Sequence, residues 1–183
     1  MIDDFSGWQW INEPAKWSAG DDLRITADAR TDLWRVTHYG YSFGNAHMFG
    51  TTVPGDTRVT TTFRGDYTEQ YDQAGAVLHA DEDNWIKAGV EFVDGALHLS
   101  TVVTRGFSDW SVTAAPRPAE SVTFDLHREG DTVMVRYGLD GDEPSTLLRL
   151  AYFPPGLPAL AGVMCAAPAG SGFETRFIRV TVV

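Results

Sequence analysis

Three consecutive stretches decide the fold: Asp72-Gln73-Ala74-Gly75-Ala76-Val77-Leu78-His79, then Trp85-Ile86-Lys87-Ala88-Gly89-Val90-Glu91-Phe92, then Leu97-His98-Leu99-Ser100-Thr101-Val102-Val103-Thr104. Tyr67, Tyr71, Ala74 and Leu78 are also spaced for an amphipathic helix, so two readings compete. Strand pairing decides between them. With 72–79 and 85–92 as a hairpin around loop 80–84, Leu78 faces Ile86, Ala76 faces Ala88 and Ala74 faces Val90. Asp94-Gly95 between apolar runs is a strong signal for a two-residue type I′ turn. That turn opposes Phe92 to Leu97, Val90 to Leu99, Ala88 to Thr101 and Ile86 to Val103. Both hairpins send the same residues of the middle strand to the core, and a one-residue slip in either would bury Lys87 and Glu91. A three-stranded antiparallel meander is therefore expected.

The same period-2 pattern extends outward. Leu23–Thr26, Arg58–Arg64, Val122–His127, Val133–Tyr137, Leu160–Ala166 and Phe177–Val183 alternate or run apolar. They are separated by turn signals at Pro54-Gly55-Asp56, Glu129-Gly130-Asp131, Asp140-Gly141-Asp142 and Pro154-Pro155-Gly156. Many short strands with regular turns read as an all-β sandwich or barrel. The 183 residues suit one domain, 1–183, with no repeat and no composition shift. A net charge of −11, with only two lysines, Lys16 and Lys87, argues against nucleic acid or a membrane surface as partner. No apolar run reaches membrane-spanning length and no signal peptide is visible, so a cytoplasmic location is expected. One cysteine, Cys165, leaves no internal disulfide and no cysteine zinc site. Its apolar surroundings suggest a buried core thiol. His38 and His47 lack zinc spacing, so no metal and no cofactor is expected. The acidic run Asp81-Glu82-Asp83-Asn84 lacks the spacing of a calcium loop and reads as a polar turn. No Gly-x-Ser-x-Gly elbow, P-loop or dinucleotide fingerprint occurs.

The meander has one apolar face, with Ala74, Ala76, Leu78, Ile86, Ala88, Val90, Phe92, Leu97 and Leu99. The other face carries Gln73, His79, Trp85, Lys87, Glu91, His98, Ser100 and Thr104, with Gly75 and Gly89 in its middle. An ordinary solvated sheet face is one reading. A ligand face is the other, because strand glycines mark close approach to the backbone, and an aromatic ring among planar polar groups suits a sugar or another flat polar ligand. Gln73, Glu91 and His98 form a cross-strand row about 5 Å apart at Cβ. Glu91 and His98 are thus the candidate general acid–base pair, with a plain ion pair as the alternative. Lys87 is the candidate anion holder, with pairing to Glu91 as the alternative. Upstream, Trp34, His38, Tyr39 and His47 cluster in a stretch rich in polar aromatics and are expected to edge the same cleft. Downstream, a three-residue turn after the third strand points Trp110 at the polar face, and a two-residue turn points Asp109 there; Trp110 is preferred.

Trp10-Ile11-Asn12-Glu13-Pro14 with Trp17, then Trp34-Arg35-Val36-Thr37-His38-Tyr39-Gly40, Tyr71-Asp72-Gln73-Ala74-Gly75, Trp85-Ile86-Lys87-Ala88-Gly89-Val90-Glu91 and Ser108-Asp109-Trp110-Ser111 follow one another in order. As a set they resemble a family of small domains of unknown function that includes bacterial proteins and the fungal "regulation of enolase" protein. The resemblance implies a concanavalin A-like jelly-roll sandwich of two curved antiparallel sheets, whose relatives are often lectins or glycan hydrolases acting in the concave-sheet groove. The hydrolases' acid pattern on one strand is absent, with Lys87 where the first acid would stand.

Three functions are therefore carried forward. The first is binding of a small polar ligand, a carbohydrate or sugar-derived metabolite, by Trp34, His38, Tyr39, His47, Gln73, Trp85, Lys87, Ser100 and Trp110. The second is an enzyme using Glu91 with His98 on a carbohydrate-like or anionic substrate. The third is a regulatory domain that contacts a protein partner and holds no small ligand.

Overall fold

Two seven-stranded antiparallel sheets build the molecule, in a computed structural model that describes residues 5–183. In chain order the strands are β1 (Gln9–Ile11), β2 (Lys16–Ala19), β3 (Leu23–Thr26), β4 (Leu33–Arg35), β5 (Ser42–Gly44), β6 (His47–Val53), β7 (Thr57–Gly65) and β8 (Gln73–Asp81). They continue with β9 (Asn84–Val93), β10 (Ala96–Arg105), β11 (Ser108–Ala114), β12 (Val122–Glu129), β13 (Thr132–Leu139), β14 (Thr146–Tyr152), β15 (Ala159–Ala166) and β16 (Glu174–Val182). One sheet runs β1-β6-β15-β8-β9-β10-β11, the other β14-β13-β12-β7-β16-β3-β2, and β4 with β5 forms a separate hairpin. This is the concanavalin A-like, jelly-roll form of all-β sandwich. Among the described residues no helix is long and apolar enough to cross a membrane.

The expected registers are present. Gln73 lies opposite Glu91 and Leu78 opposite Ile86, while Phe92 lies opposite Leu97 and Ile86 opposite Val103. Asp94 and Gly95 both have positive φ, 50° and 80°, as a type I′ turn requires. The first hairpin differs in its loop. The strands run on past 79 to a tight turn at Glu82-Asp83, with a register shift between His79 and Asp81. Asp81 makes this possible by accepting hydrogen bonds from the Asp83 amide and the Asn84 side chain.

The main core lies between the sheets. Ala74, Ala76, Leu78, Ile86, Ala88, Val90 and Leu99 from one sheet meet Phe63, Phe124, Leu126 and Phe177 from the other. Cys165 belongs to this core, and burial pushes its thiol far above its ordinary range. Two residues expected in the core sit at its margin: Phe92 is half-buried and Leu97 is exposed, because the β9–β10 hairpin extends beyond the opposing sheet's cover. Gly75 and Gly89 lie directly opposite one another, and a Cβ on Gly89 would come within 2.0 Å of the Ala74 carbonyl oxygen. These glycines let two neighbouring strands close up; the close partner is the adjacent strand.

Candidate functional site

The outer face of the first sheet is half covered. A strap formed by residues 28–46, including β4 and β5, lies across it and closes a second, smaller core of Leu33, Ala46, Met48, Val77, Trp85, Val102, Leu160 and Met164. Polar contacts hold the strap down. Lys87 Nζ donates to the Leu33 carbonyl at 2.8 Å, the Arg35 amide donates to Ser108 Oγ at 2.9 Å, and Thr31 Oγ accepts from the Ala167 amide at 3.0 Å. The Arg35 guanidinium pairs with Asp83 in the β8–β9 turn, which gives that acidic turn its structural use.

Beyond the strap the chain turns through strained backbone. Val36 and His38 have φ of 60° and 66°, and hydrogen bonds from the Thr37 amide to Arg35 O and from the Tyr39 amide to Thr37 O close two successive γ-turns. Positive φ is costly at a β-branched residue and such turns are rare. Their effect is to carry Tyr39 and Tyr41 over the uncovered half of the sheet, stacked on one another with ring centroids 5.3 Å apart.

A pocket of about 90 Å³ opens there, lined by Asp32, Trp34, Tyr39, Tyr41, Tyr71, Gln73, Lys87, Glu91, Val102, Trp110 and Pro168. Trp34 stands edge-on to Tyr39 at 5.7 Å and Trp110 edge-on to Tyr71 at 6.3 Å, so the rings form walls at right angles. On the floor, Glu91 is 6 % exposed, and its Oε2 accepts from Ser100 Oγ at 2.7 Å and from Trp110 Nε1 at 3.0 Å. Burial raises the pKa of Glu91 above the ordinary carboxyl value, and the charge of Asp32 adds to the rise. Lys87 and the hydrogen bonds of Ser100 and Trp110 oppose it. The Tyr39 phenol is pushed up to about 12, first by the Tyr71 hydroxyl beside it.

Lys87, 5 % exposed, is committed to the protein itself. Besides Leu33 O its ammonium donates to Gln73 Oε1 at 2.5 Å and lies 3.7 Å from Asp32 Oδ1. The reading of Lys87 as a free anion holder is thereby corrected: its charge clamps strap to sheet.

Of the residues expected at the site, Trp34, Tyr39, Gln73, Lys87, Glu91 and Trp110 come together in the pocket, and Ser100 lies beneath, bonded to Glu91. Val102 pairs with Trp110 after a three-residue reversal, so Trp110 takes the polar face and Asp109 points out to Arg149. Four others do not join. Trp85 is 1 % exposed and packs in the second core with Leu33, so it does not join the pocket that holds Glu91. His47 is buried on β6, with Nδ1 at 2.6 Å from Asn12 O and Nε2 accepting the Asp28 amide; both ring nitrogens are used for folding. His38 is exposed outside the pocket against the edge of Tyr39. His98 opposes Glu91 in register, yet its Nδ1 meets Ala96 O while the Glu91 carboxylate turns to Ser100 and Trp110, so the two share no hydrogen bond.

Asp32, Tyr41 and Tyr71 were not expected. Asp32 and Tyr41 bracket the aromatic-rich stretch around Trp34, and Tyr71 lies two residues before β8 with φ of 69°. Strand parity locates residues on a sheet and says nothing of those that loops bring over it.

Comparison with known proteins shows what the chain as a whole is similar to. The yeast "Regulation of enolase protein 1" (Saccharomyces cerevisiae) is 32% identical over 92% of this chain and 85% of its own. A crystal structure of a functionally unknown protein from the same yeast superposes with a TM-score of 0.93 at 29% identity, covering 99% of this chain and 98% of that one. The carbohydrate-binding module CBM66 of Bacillus subtilis shares the fold at a TM-score of 0.61 and 13% identity, over 96% of this chain and 94% of the module. The model of one family, described as "Protein of unknown function (DUF1349)", matches residues 10–183, and the chain belongs to that family.

Proposed function

We propose that the pocket on the outer face of the first sheet binds a small polyhydroxyl ligand of the size of one sugar unit. The observation that carries this reading is the joint presence of five aromatic side chains and two carboxylates around one small pocket. Ring faces take up the apolar C–H surface of a sugar, and carboxylate oxygens accept from its hydroxyls. The strained turns at Val36 and His38 support the reading, since backbone strain is retained where it positions a functional group. The shared fold with a carbohydrate-binding module is consistent with it at the level of architecture.

A thermal-shift screen of monosaccharides, disaccharides and sugar alcohols tests the proposal. At least one is expected to stabilise the protein, and Tyr39→Ala, a change at a 44 % exposed residue, is expected to remove that stabilisation. A screen with no stabiliser, or a stabilisation that Tyr39→Ala leaves intact, would contradict it. An enzymatic use of the same site is favoured by one observation, the raised pKa of Glu91 beside a second carboxylate. In that case Glu91 acts as the proton donor, and a bound sugar derivative is turned over by the wild type and not by Glu91→Gln.

A further inference from the structure

We infer that the ligand carries a positively charged nitrogen, so that the pocket is built for an amine-bearing polyol in preference to a neutral or anionic one. The inference rests on the preceding reading for the place of binding and adds the charge of what binds.

Charged groups and nitrogen donors in the pocket are one-sided. Apart from the tyrosine hydroxyls, of which those of Tyr39 and Tyr71 bond to one another, the donors are already engaged: Lys87 by Leu33 O and Gln73, Trp34 Nε1 by Thr37 O at 3.0 Å, Trp110 Nε1 by Glu91 and Ser100, and the Gln73 amide by Tyr71 O at 3.2 Å. The acceptors are not. Asp32 uses Oδ1 for the Leu33 amide, Gln73 and Lys87, and Glu91 uses Oε2 for Ser100 and Trp110. Among the described residues no donor bonds to Asp32 Oδ2 or to Glu91 Oε1. Lys87 is the one basic residue in the lining, and its charge lies 3.7 Å from the Asp32 carboxylate. An incoming carboxylate or phosphate would therefore meet two acids and no free cation. An incoming ammonium would meet two open carboxylate oxygens.

The walls favour the same charge. Ring faces of Trp and Tyr attract a cation by their quadrupole, by roughly 0.5–2 kcal/mol depending on how far the site is desolvated. Trp34, Tyr39, Tyr41, Tyr71 and Trp110 border a space small enough for an ammonium to lie near several of them. The chain as a whole, at −11, draws cations toward its surface and repels anions.

The test is calorimetric titration of the full chain at pH 6.5 with four probes: D-glucosamine, methyl β-D-glucopyranoside, D-glucuronate and tetramethylammonium. Glucosamine is expected to bind about tenfold tighter than the neutral glucoside. Glucuronate is expected to bind most weakly and tetramethylammonium to compete with glucosamine. In Glu91→Gln, and separately in Asp32→Asn, the ratio of glucosamine affinity to glucoside affinity should fall toward one, whatever happens to the affinity for either alone; a melting curve of each variant confirms folding. Equal or tighter binding of the glucoside or of glucuronate overturns the inference and leaves the polyol reading standing. Binding of tetramethylammonium with no sugar supports the cation inference and overturns the polyol reading. Binding of none of the four overturns both.

Discussion

Glu91 sits where stability and binding pull in opposite directions. Its carboxyl is buried, and burial outweighs the help of Lys87, Ser100 and Trp110, so its folded pKa lies above its unfolded value. Between those two values the native state holds the extra proton, and stability falls as pH rises through that window. Above it the ionised, buried carboxylate is a standing cost. Glu91→Gln keeps the shape and the acceptor for Ser100 and Trp110 while removing the charge. The variant is expected to melt higher than the wild type at pH 8, with the difference shrinking toward pH 4, in parallel thermal melts across that range. A variant less stable than the wild type at pH 8 would mean that the carboxylate is net stabilising. The same residue shows what the sequence discloses and what it hides. Alternation puts Glu91, Lys87 and Gln73 on one non-core face. It does not tell that Lys87 is spent on a backbone carbonyl 54 residues away, or that Trp85 lies under a strap, because those depend on contacts made by a distant segment.

At the level of elements, the β8–β9–β10 meander was legible because its side-chain period is fixed at two and both turns constrain one middle strand. The strap over residues 28–46 was not. Its two strands are three residues each and its conformation is set by single hydrogen bonds and positive-φ turns, which leave no periodic trace. The Lys87 bond to Leu33 O is one of the few polar ties from sheet to strap. Lys87→Met would leave the Leu33 carbonyl and Gln73 Oε1 without their donor, at a cost of about 1–3 kcal/mol. Hydrogen exchange should then show faster exchange in residues 33–44 and unchanged protection in β8, β9 and β10. Uniform loss of protection across the sheet would show that the lysine supports the whole fold and not the strap alone.

Taken whole, the molecule is a sandwich with one main core between its sheets and a second small core on the outside of one of them. The second core exists because the strap folds over the sheet, and the half of the sheet it leaves open is where the aromatic pocket forms. The most direct measurement is a proton–nitrogen correlation spectrum that follows the indole Nε1–H signals of the six tryptophans during titration with a stabilising sugar. Trp34 and Trp110 line the pocket, whereas Trp17 packs against Trp10 away from it and serves as an internal control. Saturable shifts of the Trp34 and Trp110 signals, with Trp17 unmoved, are the expected result. Saturable binding that leaves Trp34 and Trp110 unmoved would contradict the assignment of the pocket.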